Sequence, residues 1–506
     1  MPDTFYITTA IAYVNSKPHI GFAMEIIQGD ALARYHRLLG DGTYFLTGTD
    51  EHGSKMRNTA KELGKSIQDL ADENAAKFRE LTKLLHLSND DFIRTTEKRH
   101  KDGAVKLWKR LVAAGDIYKK KYEGLYCVGC EAFSLEKDLV DGKCPEHLKA
   151  PVQLEEENYF FRLSRYSDQI KDLIVSDKLK IVPLSRKNEM LSLCEEGLQD
   201  VSFSRPKTNL DWGVEVPYDK DHVMYVWCDA LSNYATALGY ADDSDLYNKY
   251  WPQARHLIGK GILRFHAGIW IGMLLSAGLS VPKCIYVHGY ITSEGQKMSK
   301  SLGNVIDPID YIEKYGAEAL RYFLLREVPT TGDGDFSKVR FETVYSSELA
   351  NNLGNLFSRV VTMAGRYSDN KAPKAVDAPS ELKSLLDDVL QNYHRAFEDF
   401  DLKSAIEQTI KLLDFANKYV EEKQPWILAK EDMNAVYEVL YVLLEVLRYA
   451  ALLLAPFIPK TSEEMVRRLG LTAQDLNFAA LEWGRLKEGN VLEKGEALFP
   501  RLDVSL

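Results

Sequence analysis

The run Phe5-Tyr6-Ile7-Thr8-Thr9-Ala10 is β-branched and aromatic and reads as a strand. From about Gly21, the residues Ile26, Ile27, Ala31, Tyr35, Leu38 and Leu39 recur on one side of a helix that stops at Gly40. A second strand is expected at Tyr44-Phe45-Leu46-Thr47, running into a loop over Gly48-Thr49-Asp50-Glu51-His52-Gly53. Strand, helix, strand in that order opens a parallel α/β sheet, because a helical crossover brings the chain back in the same direction.

The rhythm breaks between about residues 118 and 225, where turn signals and short runs such as Asn158-Tyr159-Phe160-Phe161 point to an insertion in the sheet. It is expected to resume at 222–227, 256–259 and 284–287. Beyond about 340 the pattern is almost wholly helical, with helices expected over 382–400, 402–421 and 434–455 after a polar linker at 367–380. The expected division is a first α/β half at 1–117, an insertion at 118–221, a second α/β half at 222–340 and a helical region at 341–506.

With 64 basic and 74 acidic residues the net charge is −10, so any RNA contact has to use local basic and aromatic patches. The longest apolar run, 436–457, is interrupted by Glu438, Glu445 and Arg448 and reads as a helix buried in protein, with no membrane span expected. The N-terminus has neither a basic start nor an apolar stretch, so no secretory signal is expected. Six cysteines in a chain of this length make no disulfide framework, and a cytoplasmic location fits them best.

Three motifs carry chemistry. His19-Ile20-Gly21-Phe22 opens the first helix, where backbone N–H groups attract anions and a histidine can hydrogen-bond a phosphate. Alone it is often an ordinary loop-to-helix turn. Lys297-Met298-Ser299-Lys300-Ser301 places two lysines three residues apart in a polar loop, able to converge on a triphosphate and offset charge as pyrophosphate leaves. Cys127-Val128-Gly129-Cys130 and Cys144-Pro145-Glu146-His147 form two ligand pairs with 13 residues between them. Cys127, Cys130, Cys144 and His147 together would close a tetrahedral Zn²⁺ shell of three thiolates and one imidazole, leaving no position for water and hence a structural role.

The first two motifs together resemble the paired nucleotide-binding signatures of class I aminoacyl-tRNA synthetases, in which ATP binds between two halves of a Rossmann-type fold. Ala10-Ile11-Ala12-Tyr13-Val14-Asn15, the Gly48–Gly53 stretch, Tyr225-Val226-Trp227-Cys228-Asp229-Ala230, Phe265-His266, Asn355-Leu356-Phe357-Ser358-Arg359 and Gln424-Pro425-Trp426 are, in this order, similar to the methionyl-tRNA synthetase family, from about residue 4 to Arg501. The expected fold is therefore a Rossmann-type parallel sheet split by a zinc-bearing insertion and followed by an α-helical bundle.

The resemblance implies that Ile11, Tyr13, Asp50, Trp227, Ala230, Tyr234, Ile262 and His266 surround methionine. An aspartate can hold its ammonium, and aromatic edges suit its thioether; seen alone, Trp227 or Tyr234 would be read as core packing. It implies ATP contacts from His19, Gly21, Gly259, Lys297 and Lys300, with His19 and the two lysines acting on the triphosphate. Asn355, Arg359 and Trp426 match the family's anticodon-reading positions, where a tryptophan can stack on an unpaired base. Two positions depart from the family pattern: a second histidine is usual where Phe22 stands, and an aspartate, which would face the ATP ribose, where Gly261 stands.

The reaction so implied is attack of the methionine carboxylate on the ATP α-phosphate, then transfer of the methionyl group to the 2′-hydroxyl of the 3′ adenosine of methionine tRNA. Mg²⁺ would accompany ATP. The 274 residues between Phe22 and Lys297 are too few for the large editing insertion of the leucine, isoleucine and valine enzymes. A cysteine enzyme would hold its metal beside the amino-acid pocket, whereas these cysteines fall in the insertion. Phe22 and Gly261 raise one alternative, a catalytically dead RNA-binding protein. Five residues after Arg501 cannot encode an appended dimerising domain, and no long heptad register is present, so a monomer is expected.

Overall fold

A computed structural model of the chain describes residues 3–127, 132–134, 136–145, 148–298 and 303–502. Its centre is a parallel sheet in the spatial order Ala12–Tyr13, Gly42–Asp50, Thr4–Thr9, Ala254–Gly259, Cys284–His288 and Lys180–Val182, with Asp91–Arg94 also paired to Gly42–Asp50. Thr4–Thr9 and Ala254–Gly259, distant in sequence, are neighbours in register Thr8 to His256 and Thr9 to Leu257. The carboxyl ends of parallel strands open a crevice on one side of such a sheet, the usual place for a ligand. The first helix, Ile20–Leu39, starts at an extended His19, packs across the sheet with Ile26, Ile27 and Ala31 buried, and stops at Gly40 in the left-handed region.

Four expectations are corrected by the structure. The strand after the first helix runs to Asp50, not to Thr47: Gly48 and Thr49 pair with Ile93 and Arg94 on one side, and Thr49 and Asp50 pair with Ala12 and Tyr13 on the other. Residues 222–227 do not resume the parallel sheet. Asp219–Met224 lies antiparallel between Ser204–Pro206 and Glu215–Val216, because partners close in sequence take its ladder, and Trp227 falls in a short helix, Val226–Ala230. Within the segment expected to be an insertion, Lys180–Val182 adds to the edge of the central sheet beside Cys284–His288. Three residues are too few for periodicity to register. Residues 470–502 are not an α-helix but irregular, with two short 3-10 turns at Ala473–Asp475 and Phe478–Ala480, and with Ala372 N–H bonding Asn490 O at 2.9 Å and Leu492 N–H bonding Asn370 O at 2.8 Å.

The separate antiparallel sheet of residues 118–221 is ordered Ala132–Ser134, Ile117–Cys127, Val152–Phe161 and Val201–Ser202. Beyond it in sequence, the helices Leu356–Tyr367, Ser380–Glu398, Leu402–Lys423, Met433–Leu454 and Pro459–Arg468 pack together. Met433–Leu454 buries Glu445 and Arg448 as a 2.5 Å ion pair, completed by Tyr441 Oη on the carboxylate and by Ala480 O and Glu482 O on the guanidinium. Among the described residues no helix is long and apolar enough to cross a membrane. One continuous apolar core joins the first helix to the helical region. Through it passes the fully buried Arg321, which pairs with Asp30 at 2.7 Å and donates to Leu85 O, Pro456 O and Phe457 O.

Candidate active site

The strand ends bring the amino-acid residues together. Tyr13 sits opposite Asp50 in register, and Val14 N–H donates to Asp50 O at 3.3 Å. Ile11, Tyr13, Trp227 and Ile262 are half-buried against the same apolar core that contains Tyr234, and Ala230 is buried near it. The Trp227 ring stacks on Phe265 with centroids 3.9 Å apart and meets His266 edge-on at 6.5 Å. Only the folded chain makes this an apolar wall, since Trp227 and Phe265 come from separate segments.

Protons in this wall have determined positions. His266 Nδ1 lies 2.9 Å from Ile262 O, an acceptor only, so Nδ1 carries the proton and Nε2 accepts from the Tyr234 hydroxyl at 2.7 Å. Burial pushes the His266 imidazole down to about 4 and the Tyr234 phenol well up, so the pair is neutral. Behind it, the Trp270 indole N–H donates to His256 Nε2 at 3.1 Å, which leaves the His256 Nδ1 proton facing Thr8 Oγ1 at 2.8 Å. Burial keeps His256 neutral as well.

Two buried carboxylates hold this wall in place. Asp229, between Trp227 and Ala230, takes His52 Nδ1 on one oxygen and His100 Nε2 on the other, each at 2.5 Å. Burial works against its charge, but the two histidines outweigh it and hold the carboxyl well below the usual range. Glu51 follows Asp50 and is fully buried, receiving Arg94 at 2.6 and 2.9 Å, Thr49 at 2.7 Å and Thr96 at 2.5 Å. Sequence reasoning missed both. Asp229 and His52 stand inside the quoted motifs but 177 residues apart, so nothing in the sequence pairs them.

Among the residues expected to contact ATP, exposed His19 caps the first helix, its Nδ1 accepting from Gly21 N–H at 3.1 Å. A Cβ at Gly21 would stand 3.1 Å from that ring, so glycine permits the cap. Phe22 turns into the core, edge-on to Phe78 at 4.8 Å, and offers the crevice no polar group. One turn later, buried Glu25 places Oε2 2.8 Å from His288 Nε2, while its Oε1 has no hydrogen-bond partner among the described residues. His288 ends its strand beside Gly259, whose Cβ would lie 3.4 Å from the imidazole. Lys297 is exposed; Lys300, with Ser299 and Ser301, lies outside the described residues.

Of the four metal-ligand candidates, Cys127 and Cys144 are 2% and 3% exposed, whereas Val140 and Leu148 near them are 61% and 70% exposed. Cys130 and His147 lie outside the described residues. In the helical region, Asn355 is exposed at the start of Leu356–Tyr367. Arg359, one turn on, rests its guanidinium 4.9 Å from the Trp426 ring and pairs with Glu421 at 2.6 Å. The three expected anticodon residues thus fall into one helix turn and the short helix Pro425–Leu428 beside it.

Known proteins of one family resemble the chain over nearly its whole length. The family model for class I tRNA synthetases (M) matches residues 5–152 and 147–361, and that for the anticodon-binding domain of methionyl tRNA ligase matches 371–504. A methionine–tRNA ligase of Caldanaerobacter subterraneus subsp. tengcongensis is 45% identical over all of this chain and 80% of its own length. One from Brucella suis is 44% identical over 99% of this chain and 98% of its own. A Mycobacterium tuberculosis methionyl-tRNA synthetase in complex with methionyl-adenylate superposes with a TM-score of 0.95 at 41% identity, covering 99% of this chain and 100% of that one. The chain belongs to the methionine–tRNA ligase family of class I tRNA synthetases.

Proposed function

We infer that the chain activates methionine with ATP and transfers the methionyl group to the 3′ adenosine of methionine tRNA. The observation that carries this reading is the neutral Tyr234–His266 pair beside the stacked Trp227, within electrostatic reach of Asp50 at the carboxyl end of its strand. A neutral, polarisable wall with one anion suits an amino acid that has an uncharged thioether and an ammonium group. Ile11, Tyr13, Ala230 and Ile262 complete the methionine pocket. His19, Gly21 and the helix N-terminus receive phosphate, Gly259 lets the nucleotide approach the backbone, and Lys297 and Lys300 offset charge as pyrophosphate departs. Mg²⁺ arrives with ATP. The methionine carboxylate is its own nucleophile, so the chain's part is positioning and charge stabilisation.

Asn355, Arg359 and Trp426 read the anticodon, with Trp426 as the stacking surface. The chain is organised as catalytic halves at 1–117 and 222–340, a connective insertion at 118–221 that lends Lys180–Val182 to the central sheet, and a helical tRNA-binding region at 341–506. Cys127, Cys130, Cys144 and His147 hold a structural Zn²⁺. The donor set fits that metal, and two thiols buried within an exposed stretch support it. Zinc would tie the tip of the insertion together and take no part in the reaction. A net charge of −10 favours a monomer, which we place in the cytoplasm.

Methionine-dependent ATP–pyrophosphate exchange tests the reading. Lys297→Ala is expected to lower kcat with little change in the methionine KM, and Trp227→Ala to raise that KM with a smaller effect on kcat. Absence of methionine-dependent exchange in the parent protein would favour the catalytically dead alternative.

A further inference from the structure

Gly259 ends the strand Ala254–Gly259 and Gly261 follows it, and Gly289 and Tyr290 follow its neighbour Cys284–His288. A Cβ on Gly261 would lie 2.0 Å from the Tyr290 hydroxyl oxygen and 3.3 Å from the ring carbon that bears it, so any side chain there would need the space that the phenol holds. Tyr290 is held at its ring and at its backbone. Lys260 Nζ caps the ring at 4.6 Å and is gripped by both Asp333 oxygens at 2.8 and 2.6 Å. Tyr290 N–H donates to Asp333 Oδ1 at 2.8 Å, and Gly334 N–H to Tyr290 O at 2.9 Å. Tyr290 is 37% exposed and follows the carboxyl end of Cys284–His288, the side of the sheet on which the crevice opens.

The order of strands says which part of a nucleotide lies there. The phosphate-binding helix follows Thr4–Thr9, and the next strand across is Ala254–Gly259, about 4.8 Å away. With phosphate at His19, the group one strand further along a nucleotide is the ribose. We propose that Tyr290 is a substrate-contacting residue whose phenol hydrogen-bonds a ribose hydroxyl of ATP, and that Gly261 is its matched partner, lacking a side chain so that the phenol can stand there. This rests on the reading of the crevice as the ATP site. A carboxylate at 261 would make such a contact as an acceptor only, whereas the phenol both donates and accepts and adds no negative charge near the triphosphate.

The test is pyrophosphate exchange with ATP, 2′-deoxy-ATP and 3′-deoxy-ATP. Tyr290→Phe is expected to reduce the kcat/KM preference for ATP over one of the two deoxy analogues by about three- to tenfold, the effect of one lost hydrogen bond. The methionine KM should not change. Gly261→Ala, whose methyl displaces the hydroxyl, should give the same loss in the parent and little further loss in the Tyr290→Phe background. Exchange that proceeds with both preferences intact in Tyr290→Phe overturns the assignment of Tyr290 alone. Absence of exchange in the parent protein overturns the ATP-site reading and this assignment with it.

Discussion

The Tyr234 hydroxyl donates to His266 Nε2 at 2.7 Å, with both side chains sealed from solvent and the other histidine nitrogen committed to Ile262 O. Burial holds the His266 pKa at about 4, below the value of about 6.5 for an exposed histidine. The unfolded chain therefore binds the proton more readily between those values. The stability from a neutral His266 is complete above about pH 6.5, is lost as pH falls towards 4, and amounts to roughly 3 kcal/mol in all. NMR of the imidazole should show no protonation at pH 5.5, and the methionine KM should not change between pH 8 and 6 on this group's account. A His266 resonance titrating near 6.5 would contradict the assigned environment.

Asp30 and Arg321 form another sealed contact with consequences. Burial opposes the Asp30 charge, yet Arg34, Arg321 and Ser88 hold its carboxyl at about 2. Arg321→Met would leave that carboxylate with only Arg34 and Ser88 to hold it and the carbonyls of Leu85, Pro456 and Phe457 without their donor, costing about 3–5 kcal/mol. Thermal unfolding should show a lowered Tm, and limited proteolysis should cut faster near the junction of the sheet and the helical region. An unchanged Tm would mean that the surrounding apolar core alone holds the junction.

Metal analysis addresses the insertion. About one Zn²⁺ per chain is expected, the count for one closed shell. Cys144→Ala should lose the metal and lower activity indirectly through the loosened insertion. Metal-free protein with full activity and unchanged proteolysis of residues 118–160 would remove zinc from the account.

Trp426→Ala should weaken tRNA interaction by roughly 1–3 kcal/mol, the range for one lost base stack. Methionine-dependent pyrophosphate exchange, which needs no tRNA, should be unaffected. Arg359 already lies on the ring face in the free protein, so its guanidinium has to move, or share the face, when a base arrives. Equal charging of methionine tRNA and an anticodon-swapped tRNA would contradict this placement.

Much of the central sheet was legible in the residues themselves, because alternation, helical period and stop signals are local properties of the chain. Thr4–Thr9, Ile20–Leu39 and Cys284–His288 fall where those patterns put them. Residues 222–227 did not, since an apolar run such as 223–227 fits a parallel or an antiparallel ladder equally and only its partners decide. Lys180–Val182 was too short to leave a pattern.

The site divides in the same way. Residue types in motif order are what the proposed chemistry rests on: a histidine and glycine at a helix start, two lysines in a loop, and cysteines in ligand pairs. Their neighbours were decided by tertiary structure alone. Nothing local joins His52 and His100 to Asp229, fixes the His266 tautomer, or places the Tyr290 hydroxyl where a side chain on Gly261 would go. Those relationships depend on burial and on distances between segments far apart in the chain, and a linear sequence encodes them only through the whole fold.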